Sequence, residues 1–420
     1  MDIKTTTLPN GLRIITANRP HTESVSLGFW IRSGSASEKK EENGISHFIE
    51  HMVFKGTKTR TSRQISEEIE NVGGQNNAYT SREITSFYAR VLKDDIKVAF
   101  DLISDLILNP TFPEDEMKKE KEVVIQEIKQ NKDIPDDLIF DFFQECAYPD
   151  QPLGRTILGP EENVRAMNAA QMFDFMKNHY AAENIVLAAA GNIDHDTLAK
   201  MAAEKFSDFR AKKNFQIVPA KYVGGCNITK KDIEQTHMML GFEGIGHGNP
   251  MFFQMMTLST LFGGGMSSRL FQEIREKLGL VYSIYSFSNS HSGTGLFGIY
   301  AATDADGLCK MMPVLSDEIK KIQNDLVSAE ELKRAKAQLK AGIFMSLESS
   351  SVAAEMIARH NLVFGRLIPS EEIIEKIEAI SAEDIRNAAQ YIFASNPTYT
   401  LLGNMHTYPE YDELKKILKS

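Results

Sequence analysis

Residues 44–54, Gly-Ile-Ser-His-Phe-Ile-Glu-His-Met-Val-Phe, concentrate the side chains that could do chemistry. On a helix, His47, Glu50 and His51 fall at i, i+3 and i+4 and share one face. Two imidazoles one turn apart can reach a single metal ion, and a carboxylate beside them can take a proton from a nearby water. Ile49, Met52 and Val53 give the same helix an apolar side to bury. The order His-x-x-Glu-His inverts the commoner His-Glu-x-x-His pattern of zinc sites. The plain alternative is a pair of core histidines with a surface glutamate, so further pieces must decide.

A hydrolytic zinc site uses three protein ligands and keeps a fourth position open. The third donor is sought on the charged helix expected over 113–131, which carries Glu116, Glu120, Glu122 and Glu127. Glu120 and Glu127 lie seven apart, two turns, and so share a face. A solvated acidic face would account for these residues equally well on composition alone.

The chain supplies its own control, because it reads as one unit written twice. The first copy runs from an Asn10-Gly11 turn and the strand 13–16 to a second strand over 24–31 that alternates around Val25, Leu27 and Phe29. After the metal-motif helix come helices over 63–72 and 94–108, strands over 77–79 and 85–91, the charged helix, a helix over 168–179 and a buried strand over 184–190. The second copy answers in order: 235–242 matches the 24–31 strand, 251–262 the motif helix, 295–302 the 85–91 strand, 328–346 the charged helix, 381–393 the 168–179 helix and 398–404 the final strand. Where the first copy has its histidines, the second has Phe252-Phe253-Gln254-Met255-Met256. Ala335 stands at the place of Glu120, and Gly342 at that of Glu127. The carboxylates disappear together with the imidazoles, which favours one joint task in the first copy. The expected fold is α+β: two homologous α/β domains, each a mixed or antiparallel sheet packed against helices, over 1–208 and 226–420, joined by a linker over 209–225.

Composition narrows the class. At 420 residues, 42% hydrophobic and 25% charged, the chain has the make-up of a soluble globular protein. A net charge of −10 without a basic run argues against nucleic acid as a partner. Three cysteines, Cys146, Cys226 and Cys309, lie far apart and form no thiolate metal motif. No apolar run is long enough for a membrane span, and the first residues carry neither an apolar signal core nor an Arg-rich presequence; the expected location is the cytoplasm. The glycine-rich stretch 263–265 lacks the Gly-Lys-Ser/Thr of a phosphate loop.

Taken together, these motifs resemble the pitrilysin (insulinase) family of zinc peptidases, in particular its half-length branch similar to mitochondrial processing peptidase. The resemblance spans essentially the whole chain. It rests on His47-Phe48-Ile49-Glu50-His51, the Glu120 and Glu127 pair, Asn77-Ala78, and residues 275–282, Arg-Glu-Lys-Leu-Gly-Leu-Val-Tyr. It implies one Zn2+ per chain held by His47, His51 and Glu127, with Glu120 orienting a ligand. It implies Glu50 as the base on the attacking water. It implies a peptide substrate added as a strand at Asn77 and Ala78, with Arg275 and Tyr282 contacting the substrate from the second copy. It also implies a homodimer that shares its sites. The alternative reading is a non-catalytic peptide-binding or scaffold subunit of the same fold.

Overall fold

The computed structural model describes residues 2–210 and 218–419; residues 211–217, inside the expected linker, lie outside the described residues. The first half of the chain forms strands β1 (Asp2–Thr7), β2 (Arg13–Asn18), β3 (Ser24–Ile31), β4 (Gln75–Thr80), β5 (Thr85–Leu92) and β6 (Ile185–Gly191). Its helices are α1 (Ile45–Met52), α2 (Ser62–Glu70), α3 (Ile96–Leu108), α4 (Glu114–Asp133), α5 (Pro135–Ala147), α6 (Glu161–Ala166), α7 (Ala169–His179) and α8 (His195–Phe206). The second half forms β7 (Gly225–Lys230), β8 (Thr236–Glu243), β9 (Val281–Ser290), β10 (Gly295–Thr303) and β11 (Thr398–Gly403). Its helices are α9 (Phe252–Gly263), α10 (Gly307–Asn324), α11 (Ala329–Ser346), α12 (Ser350–Phe364), α13 (Ser370–Ala379), α14 (Ala382–Phe393) and α15 (Tyr411–Lys419).

The two sheets have one plan. The first runs β1-β2-β6-β3-β5-β4 and the second β7-β11-β8-β10-β9. In each, a single parallel pair, β2 with β6 or β7 with β11, adjoins an otherwise antiparallel array. The duplication read from the sequence is therefore a duplication of topology, with β1 added to the first sheet. Both are mixed sheets packed on helices, as expected.

The compact units are not the two contiguous halves of the sequence. Residues Gln130–Gly154, which include α5, belong to the second unit, and Phe344–Leu367, which include α12, belong to the first. The cause is packing on the second face of each sheet. Val25, Leu27, Phe29 and Ile31 enter the first hydrophobic core, yet Ser26 and Trp30 on the opposite face of β3 are buried too. That face is small-sided, with Ser26, Gly28, Ala188 and Ala190, and α12 packs on β3, β6 and β2. Small residues on sheet and helix, including Ala353, Ala354 and Ala358, allow close approach. In the second unit α5 packs on β11, β8 and β7, and a Cβ on Gly241 would lie 2.2 Å from the Phe143 ring. The exchanged helix covers the second face of β3, so both faces of the strand are buried.

Helix α1 is set down by its own sequence. Ile45, Phe48, Ile49 and Met52 are fully buried, each contributing about 1.5–3 kcal/mol. Its start is a left-handed Gly44 at φ 98°, and a Cβ there would lie 2.6 Å from the Leu158 carbonyl oxygen. The next helix opens on Thr61, whose side chain accepts from the Gln64 amide in a reciprocal capping box. Gly44→Ala is expected to cost at least about 2 kcal/mol from left-handed strain and the clash. A thermal midpoint roughly 4–8 °C lower in a scan of the metal-free protein would match that figure; an unchanged midpoint would contradict the strained start.

Candidate metal centre

Helix α1 and helix α4 build the site between them. Each is held by burial: Met117, Val124, Ile125 and Ile128 of α4 enter the same core as Phe48, Ile49 and Met52 of α1. The acidic side chains of α4 then separate by direction. Glu116 pairs with Lys119 and Glu122 with Arg165 in surface ion pairs. Glu120 and Glu127 turn to the histidines. These are the two that the seven-residue spacing placed on one face.

Glu127 stands between the imidazoles. One carboxylate oxygen lies 3.5 Å from His47 Nε2 and the other 3.5 Å from His51 Nε2. The two rings are 4.6 Å apart, centroid to centroid, and nearly edge to face. One donor atom from each of His47, His51 and Glu127 lies within 4.8 Å of the others, so the three could hold a metal ion. Tetrahedral zinc with bonds near 2.0–2.1 Å separates its ligand atoms by about 3.3 Å. The donor set and its spacing therefore fit zinc. Glu50, on the same helix face, has a buried Oε2 without a partner among the described residues, the mark of a group meant for something the protein does not supply.

The surrounding hydrogen bonds fix the ligands. His51 Nδ1 donates to Glu120 Oε1 at 2.8 Å. An ionised carboxylate can only accept, so the proton sits on Nδ1 and the Nε2 lone pair faces Glu127. Burial pushes the Glu120 carboxyl up, but the bonds from His51 and Lys55 outweigh it and hold it below its ordinary value. Glu127 is lowered mainly by His47, against the opposing effect of burial. Burial pushes His51 down; the bond to Glu120 and the charges of Glu127, Glu120 and Glu50 outweigh that and raise it.

Two groups that sequence reasoning missed complete the centre. Glu38, in what reads as a plain polar loop, is buried at the start of α1. It accepts from the Gly44 and Ser46 amides at 2.8 and 2.9 Å and from Asn43 Nδ2 at 2.8 Å. Burial pushes its carboxyl up. Only the run of a carboxylate six residues before a glycine-started helix could have hinted at this cap. Lys55, just past α1, reaches Glu120 Oε2 at 2.7 Å.

The remaining expected site residues fall in two places. Asn77 and Ala78 lie on β4, which among the described residues pairs only with β5 and forms the end of the first sheet. Asn77 Oδ1 accepts from the Ala78 amide at 2.8 Å, and the next residue, Tyr79, donates to Glu355 of α12 at 3.0 Å. Arg275 and Tyr282 belong to the second unit. Arg275 lies in a short π-helical turn, Phe271–Glu276, stacks 4.5 Å over Phe271 and donates from Nε to the Tyr282 carbonyl at 2.9 Å. The Tyr282 side chain, first but one on β9, is exposed.

Comparison with known proteins agrees with this picture. Residues 13–161 match the family described as Insulinase (Peptidase family M16), and residues 166–339 that described as Peptidase M16 inactive domain. An uncharacterized zinc protease of Rickettsia felis is 44% identical, over 94% of this chain and 96% of its own length. One from Bacillus subtilis is 37% identical, over 96% and 99%. Among solved structures, a peptidase M16 inactive domain from Pseudomonas fluorescens superposes with a TM-score of 0.90 at 20% identity, covering 97% of this chain and 99% of that one. At that identity the likeness speaks for the fold. No helix among the described residues is long and apolar enough to cross a membrane.

Because bound zinc requires a neutral His51 and ionised Glu127, protons compete for the same atoms. Zinc affinity is expected to be flat at alkaline pH and to fall as pH drops through the raised His51 value. Competition against a chromophoric chelator from pH 8.5 to 5.5 reads this directly; an affinity independent of pH would exclude these ligands.

Proposed function

The chain belongs to the insulinase family of peptidases, family M16, and from that premise we propose that it is a zinc-dependent endopeptidase that hydrolyses short, unfolded peptides. The observation that carries this reading is the meeting of His47, His51 and Glu127 beside the partnerless buried oxygen of Glu50. His47, His51 and Glu127 would hold one Zn2+ per chain, and Glu120 would fix the ring of His51. When bound, zinc supplies Lewis acidity, which polarises the scissile carbonyl and makes water a better nucleophile.

The residues of the chain do the rest. Glu50 accepts the proton of the attacking water and passes it to the leaving amine. Strand β4, paired on one side only, receives the substrate backbone as a further strand, with Asn77 and Ala78 at the contact. Such pairing grips main chain rather than side chains, which suits varied unfolded peptides and excludes folded ones. Tyr282 donates to the developing oxyanion and Arg275 to a substrate carbonyl. These two are supplied by a second copy of the chain, so that a homodimer encloses two shared sites. A cytoplasmic location is part of this reading, and the three cysteines, all free, agree with it.

Glu50→Gln is expected to lower kcat on a fluorogenic unstructured peptide by about 10²–10⁴-fold while zinc content stays at that of wild type. Equal turnover by both proteins, or turnover indifferent to a chelator, would turn the assignment toward a peptide-binding scaffold. Tyr282→Phe is expected to reduce kcat by about 10²-fold with little change in KM. Mixing the two inactive variants after dissociation should restore activity, because some mixed dimers carry one site with both residues intact. A mixture as inactive as its components would exclude shared sites.

A further inference from the structure

We propose that Lys55 is a positioning residue of the metal centre, holding the Glu120 carboxylate so that it orients His51 toward the ion. The inference rests on the zinc reading above. Lys55 closes the single turn Val53–Lys55 that follows α1. Its Nζ lies 2.7 Å from Glu120 Oε2, while His51 Nδ1 takes the other oxygen at 2.8 Å. Among the described residues these are the only hydrogen-bond partners of that carboxylate.

Two features make the arrangement more than a surface ion pair. The Glu120 side chain is 8% exposed, so water cannot readily replace a lost donor. The backbone that carries Lys55 is also pinned. The Gly56 carbonyl accepts from both the Thr111 amide and its hydroxyl. Thr57 and Thr59 donate to Asp105, and Arg60 bridges Glu68, Asp101 and Asp105. An ammonium on so fixed a root sets the plane of the carboxylate, and the carboxylate sets the imidazole. Electrostatics point the same way. Glu50, Glu120 and Glu127 stand near one another around His51, and Lys55 forms an ion pair with one of them, Glu120. Without it, one oxygen of Glu120 stays buried with no donor, and the group must turn to find one or give up its bond to His51. Either change releases the ring of His51.

The test measures zinc affinity by chelator competition, and the absorption bands of the Co2+-substituted protein, in wild type, Lys55→Met, Lys55→Gln and Lys55→Arg. Lys55→Met is expected to weaken zinc binding by about 10-fold, the range for loss of a group that orients a ligand. The cobalt bands should shift, and Lys55→Arg should recover most of the loss. The effect should vanish when Glu120→Gln is already present, because Lys55 acts through that carboxylate. Lys55→Gln is read alongside in case the methionine variant folds poorly, and the metal-free melting of each variant is its folding control. Wild-type affinity and bands in Lys55→Met, or a full loss that persists beside Glu120→Gln, would overturn the inference while leaving the zinc reading in place. Wild type that takes up no zinc would overturn both.

Discussion

The structure depends on a seam of paired ionisable groups, some buried and some half-buried, between helices α1 and α4. Charged groups taken out of water must be paired, and here each pairing leads to the next. The amides at the start of α1 satisfy Glu38, which fixes where the helix begins. That start sets the phase of His47, Glu50 and His51. Packing of α4 brings Glu120 and Glu127 to the rings, and Lys55 closes the far side. Two buried atoms of this seam, Glu50 Oε2 and His47 Nδ1, have no partner among the described residues.

The duplicated half shows what the same topology does without such a seam. Helix α9 follows β8 as α1 follows β3, and its buried positions include Met255, Leu258, Leu261 and Phe262. Ala335 is buried where Glu120 stands in the first copy, and Gly342 faces open space where Glu127 stands. Sheet order and helix placement survive the exchange of charges for hydrocarbon, because they are fixed by apolar faces and strand pairing. The exchanged helices α5 and α12 add a constraint on both halves: neither sheet has both faces covered by the contiguous sequence that builds it. The link between the halves is therefore structural as well as covalent.

The first sheet also distributes its edges unequally. One side is extended by β1, a strand with no counterpart in the second sheet among the described residues, and the other ends at β4. An unpaired edge is ordinarily a hazard for aggregation. Here it is short, follows the tight Gly73-Gly74 stop after α2, and presents polar residues at Gln75, Asn76 and Asn77. The same polar edge that resists random pairing can accept an extended peptide, which is why the strand bears on function as well as fold.

Much of this was legible in the order of residues. Periodicity placed α1, α3, α4 and α7 within a few residues of their observed limits, since each has an apolar stripe and a stop or cap such as Asn109-Pro110 or Asn168. The internal repeat revealed the doubled sheet, and its lost charges singled out Glu120 and Glu127. Three things were decided by tertiary structure. Which oxygen of Glu120 and Glu127 meets which ring depends on the helix's rotation against α1. The crossing of α5 and α12 between units depends on each helix packing on strands distant from it in sequence, which has no local signature. The parts played by Glu38 and Lys55 depend on contacts between segments far apart in the chain. Sequence carries the local periods and the types of side chain; the pairing of a buried charge with its partner is a non-local condition, and it is met only when the helices are packed.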